Sequence, residues 1–93
     1  MKTISKIQVE GMTSSNGNDI PNQYILTTPE GKYFQSYNTI IAFIDNKGKV
    51  FLDENKWDYS RTTGKYRNQF LCENAADTRN KIKSGEYKLT NLN

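Results

Sequence analysis

Two turn signatures, Thr28-Pro29-Glu30-Gly31 and Asp45-Asn46-Lys47-Gly48, cut the middle of this chain into short β-type segments. Proline at the second turn position presets its own φ, and glycine at the fourth suits the bulge that follows a type I turn. Around the turns run Gln23–Thr27, Lys32–Tyr37, Thr39–Ile44 and Lys49–Leu52, with Asn38 offering a tight corner between the middle two. Thr39–Ile44 is apolar on both faces, as expected of a central strand covered on both sides. The pattern predicts an antiparallel meander.

The flanks are less regular. Lys2–Glu10 alternates Ile4, Ile7 and Val9 among polar residues and reads as an imperfect strand. From Gly11 to Asp19 the chain carries Gly, Ser, Asn and Asp, which bond locally and pack little. A flexible loop is expected at about 11–20, with the strand before it loosely attached.

Past Leu52 the period changes. Ser60 is a helix N-cap, and Tyr59, Thr63, Tyr66 and Phe70 fall on one stripe that should face the sheet. Arg61, Lys65 and Asn68 lie opposite, with Arg67 on a flank. Gly64 sits mid-helix at a cost of about 1 kcal/mol relative to Ala, which a close helix–sheet approach or a kink would explain. A second helix starts from Asn74 as N-cap and stops at Ser84-Gly85, with Lys81 and Lys83 in its last turn. Glu86–Leu89 then alternates as a last strand. The expected architecture is α+β: an antiparallel sheet of about four to six strands with two short helices packed on one face.

Ninety-three residues make one small domain. The chain has no His, so the usual neutral-pH base and the commonest metal ligand are both missing. Its single Cys can form neither an intramolecular disulfide nor a cysteine-rich zinc site. Cys72 is expected to be a core or semi-core thiol, since Cys is among the most buried residue types. Asp53, Glu54 and Asp58 cluster near one loop but stand among Asn55 and Lys56, and capping explains them better than paired acid–base chemistry. No metal, cofactor or catalytic residue is expected, and the protein reads as a non-enzyme.

Met1-Lys2-Thr3-Ile4-Ser5-Lys6 starts as a signal peptide does, yet no apolar run follows it. The longest apolar run, Ile40–Ile44, is far short of a membrane span. A cytoplasmic protein without a membrane partner is expected. Thirteen Lys and Arg against ten Asp and Glu leave a net charge of +3, concentrated in the second half. Between Ser60 and Leu71 stand Arg61, Lys65 and Arg67 without an acid. With Asn68 they form a surface for which three readings stay open: a solvated helix face, a protein-binding face, or a nucleic-acid contact. Exposed sheet edges also leave room for a homodimer.

The stretches Phe34–Asn38, Lys49–Asp53 and Thr78–Leu89, and above all Trp57-Asp58-Tyr59-Ser60-Arg61-Thr62-Thr63-Gly64-Lys65-Tyr66-Arg67-Asn68-Gln69-Phe70-Leu71, resemble a family of short uncharacterised proteins from phages and mobile elements of Gram-positive bacteria. The resemblance covers about residues 33–93. It implies no activity. It does imply a class of role: stoichiometric binding of a host protein, including anti-defence inhibition of the anti-CRISPR kind. The excess of positive charge speaks against mimicry of a nucleic acid.

Overall fold

The computed structural model describes residues 7–14 and 16–93. The elements in chain order are β1 (Gln8–Thr13), β2 (Asp19–Thr28), β3 (Gly31–Ser36), β4 (Thr39–Asp45), β5 (Val50–Asp53), α1 (Arg61–Leu71), α2 (Ala75–Lys83) and β6 (Lys88–Thr90). All six strands join one sheet in the order β1-β2-β3-β4-β5-β6. The fold is α+β, as expected. The first five strands are antiparallel neighbours, whereas β6 runs parallel to β5. A parallel return needs a crossover of a dozen or more residues, and α1 with α2 supplies it.

The turn before β3 forms as its composition predicts. The Thr28 hydroxyl accepts from the N–H groups of Glu30 and Gly31, each at 3.2 Å. Gly31 has φ 150° and lies so close to β4 that a Cβ would collide with the Ile44 carbonyl oxygen. At the next corner the residue with positive φ is Tyr37, at 57°, rather than Asn38. The Tyr37 N–H bonds the Asn22 carbonyl at 2.7 Å, and this contact outweighs the local preference for Asn.

The N-terminal reading needs correction. Gly11, Met12 and Thr13 belong to β1, and Asp19 and Ile20 to β2, so both ends of the expected loop at about 11–20 are strand. Met12 is only 4% exposed and joins the core. Ser14 ties the short connection by accepting at its hydroxyl from the Asn16 and Asn18 N–H groups. The Lys2–Lys6 part of the expected first strand lies outside the described residues.

Phe34, Ile41, Ala42, Val50, Leu52 and Tyr87 form the centre of the core with Met12. The β3–β4 register slips between Phe34 and Gln35, leaving Ile41 without a cross-strand partner. Ile41 and Ala42 can therefore both be buried, which strict alternation would forbid. Helix α1 meets β3 through a stacked Phe34–Phe70 pair at 5.8 Å and through the hydroxyls of Ser36 and Thr63 at 3.2 Å. From α2, Ile82 packs on the core and Thr78 is fully buried.

Asp53 ties down the residues after β6. Its carboxylate accepts from the Leu92 N–H at 2.8 Å and the Asn93 amide at 3.1 Å. The Asn93 side chain also accepts from the Ile40 N–H and donates to the Ile40 carbonyl, as a neighbouring strand would. Burial alone would raise the Asp53 carboxyl, but these bonds and those from the Asn55 and Lys56 backbone hold it below its ordinary 3.8.

Candidate functional site

The Ser60 side chain accepts from the Thr63 N–H at 3.1 Å and starts α1 where the sequence places it. Thr63, Tyr66 and Phe70 face inward, but Tyr59 does not belong to that stripe: it is 46% exposed and Lys56 lies over its ring. Arg61 and Lys65 are exposed. Arg67 is not. Its side chain is 1% exposed and donates to the Trp57 carbonyl at 2.7 Å, to Asp58 at 3.1 Å and to Asn68 Oδ1 at 3.0 Å. The guanidinium also lies 5.1 Å from the Trp57 ring centroid. Arg67 thus drops out of the expected contact set, and Asn68 is half-buried and engaged with it. Helical projection places Arg67 on a flank, but helical periodicity does not encode a side chain that turns back toward the residues before the helix.

A Cβ at Gly64 would fit without a clash. The atoms nearest to a Cβ at Gly64 would be those of the Arg67 guanidinium, at 3.7–3.9 Å. No sheet atom lies so near, so a close helix–sheet approach does not account for the glycine. Cys72 also differs from expectation. It is exposed, in left-handed conformation at φ 58°, where its N–H and that of Glu73 close α1 on the Gln69 and Asn68 carbonyls.

The three acids near residue 53 do different things. Asp53 holds the residues after β6, Asp58 pairs with Arg67, and Glu54 is exposed. Among the described residues no group of three or more Asp, Glu, Cys or His is placed to hold a metal ion. No described helix is long and apolar enough to cross a membrane.

Strand register reveals a surface that no pattern in the sequence marks. Cross-strand partners share a face, and one row crosses the whole sheet as Val9, Leu26, Tyr33, Phe43, Phe51 and Lys88. The next row, on the other face, is Glu10, Ile25, Phe34, Ala42, Leu52 and Leu89. Phe34, Ala42 and Leu52 of that second row are fully buried, whereas every member of the first stays partly or largely exposed. Tyr33 and Phe43 stack at 4.3 Å between centroids and Phe43 and Phe51 at 5.9 Å, close to the spacing of the strands that carry them. The rings face one another along the ladder and turn their edges outward. At one end of this face lies a hollow of about 530 Å³ walled by Ile7, Val9, Tyr24, Leu26 and Tyr37, with the amides of Asn22, Gln35 and Asn38 at its margin. None of these residues is charged.

A family model described as Family of unknown function (DUF8033) matches residues 7–86. The chain belongs to this family. No curated protein and no solved structure matches it. The DUF8033 match takes in β1 and β2, beyond the stretch from residue 33 onward that carries the resemblance noted above. Within this DUF8033 protein the inward side chains of the Trp57–Leu71 motif hold the fold together. Arg67 donates to Trp57, Asp58 and Asn68, Ser60 caps α1, and Thr63 and Phe70 dock it on β3.

Proposed function

We infer that the protein is a small non-enzymatic binding protein that docks stoichiometrically on another protein through the Val9–Phe51 face of its sheet. The reading takes both helices to lie on the Phe34 face and the protein to act in the cytoplasm. The observation that carries it is the row of partly exposed apolar residues running over five strands, with the uncharged hollow at its β1 end. Contiguous apolar surface of this kind marks interaction sites, and flat aromatic patches are favoured at the centres of protein interfaces. Rings already stacked on each other have their faces occupied, which suits a protein surface better than nucleobases seeking a stacking platform. The resemblance to phage-encoded proteins supplies a host protein as partner, with anti-defence inhibition as one such use.

A second reading, a nucleic-acid module, draws on Arg61 and Lys65, exposed on a helix without an acid in its first turn. Two cations predict a shallow dependence on salt, a log–log slope of roughly −2.

The test is affinity capture from host lysate, with and without nuclease, using wild type, Phe43→Lys, Tyr37→Asp and the Arg61→Glu/Lys65→Glu pair. Circular dichroism checks that each variant is folded. One partner retained by wild type and the helix pair but lost by the folded sheet-face variants is the expected result. Loss by the helix pair alone transfers the site to α1, and nuclease-sensitive recovery transfers it to nucleic acid.

A further inference from the structure

We propose that β1 is a docking edge for an extended segment of the partner protein, which adds to the sheet with an apolar side chain beside Val9 and a basic side chain opposite Glu10. The proposal rests on the protein-binding reading above and names the mode of docking.

Strand β1 lies at one end of the sheet, and among the described residues no strand pairs with its outer side. Its outward N–H and C=O groups are the complement of another strand. Sheet edges are commonly guarded by Lys, Pro or a bulge; β1 contains neither Lys nor Pro, and its one irregularity, between Gly11 and Thr13, leaves Gln8–Gly11 in regular register. The opposite edge, β6, is only three residues long and carries Lys88.

The side chains agree with the backbone. Val9 is 61% exposed and, with Ile7, lines the uncharged hollow on its β1 side. A residue of an added strand directly opposite Val9 would share its face and cover it. Asn22 and Tyr37, both in that hollow, hold positive φ of 65° and 57°. Tyr37 is bulky and 54% exposed, and L residues adopt that conformation mainly where their surroundings enforce it. It lines the hollow beyond the end of β3, on the side away from β1.

Glu10 supplies the choice of partner. It pairs with Ile25, so it lies on the face opposite Val9, and it is exposed. A neighbour directly opposite Glu10 is favoured when cationic and disfavoured when anionic. Two copies of this chain joined antiparallel about the middle of β1 would bring their Glu10 side chains together, which favours a different protein over a second copy.

The test uses the full chain and two blocked eight-residue peptides, one alternating valine with lysine and one alternating valine with glutamate. Binding is followed by NMR through the amide resonances of Gln8–Thr13. The valine–lysine peptide should perturb these amides and bind roughly threefold tighter or more than the valine–glutamate peptide. The protein's net charge of +3 by itself predicts the reverse order, so general attraction cannot imitate the result. Glu10→Lys should invert the preference, and Val9→Asp should weaken both peptides. Amides of β1 left undisturbed, a preference indifferent to Glu10→Lys, or β1 shifts that appear with protein concentration alone would each overturn the proposal, the last in favour of a second copy. If sheet-face variants lose the captured partner while peptides leave β1 untouched, the docking face stands and strand addition falls. Both fail if capture also ignores the sheet-face variants.

Discussion

The Tyr87 hydroxyl donates to the Glu73 carboxylate across 2.8 Å, joining the connection between the helices to the chain just before β6. The same carboxylate pairs with Lys81 at 2.8 Å and accepts from the Thr78 hydroxyl, and it is only 6% exposed. One acid thus fastens α2 and its exit to the end of α1.

Burial alone would raise the Glu73 carboxyl, but bonds from Lys81, Thr78 and Tyr87 outweigh it and hold the group below 4.5. A lowered folded value gives stability that is present above pH 4.5 and is lost as pH falls through the folded value. Tyr87 shows the opposite sign: burial, then its bond to Glu73, pushes it up to about 12 from 10. Its contribution is complete below pH 10 and disappears between 10 and 12. Urea unfolding across pH should show both limbs, with Glu73→Gln flattening the acid one and Tyr87→Phe the alkaline one.

The two central glycines should respond in opposite directions to alanine. Gly31→Ala places a Cβ against the Ile44 carbonyl and is expected to destabilise by about 2 kcal/mol or more. Gly64→Ala meets only ordinary contact with Arg67 and removes a helix-breaking residue, so it should stabilise by up to about 1 kcal/mol. Thermal melts of the two variants check the contrast.

Arg67→Met removes the donor that satisfies the Trp57 carbonyl and the partner of Asp58. The expected loss is about 2–3 kcal/mol, larger than for a surface cation. Trp57 is the only tryptophan, so its emission reports the same change directly. A wild-type-like melt and spectrum would show Arg67 to be dispensable.

Cys72 takes a left-handed conformation that glycine adopts at no steric cost. Cys72→Gly should raise stability by about 1 kcal/mol. The exposed thiol of the wild type should react with a disulfide reagent in the native state, without prior unfolding.

Local chemistry settled much of this protein in advance. The Thr28–Gly31 turn, the Ser60 and Asn74 caps, the Ser84-Gly85 stop and the β1–β5 succession depend on neighbours a few residues apart, and such preferences act before any tertiary contact forms. Tertiary structure decided the rest. Whether Arg67 faces water or Trp57, whether Met12 is loop or core, which corner residue takes positive φ and what Asn93 bonds all depend on residues distant in sequence. The exposed ladder belongs to the second group. Tyr33, Phe43 and Phe51 each look like core residues when read singly, and only the register across strands places them together on one face.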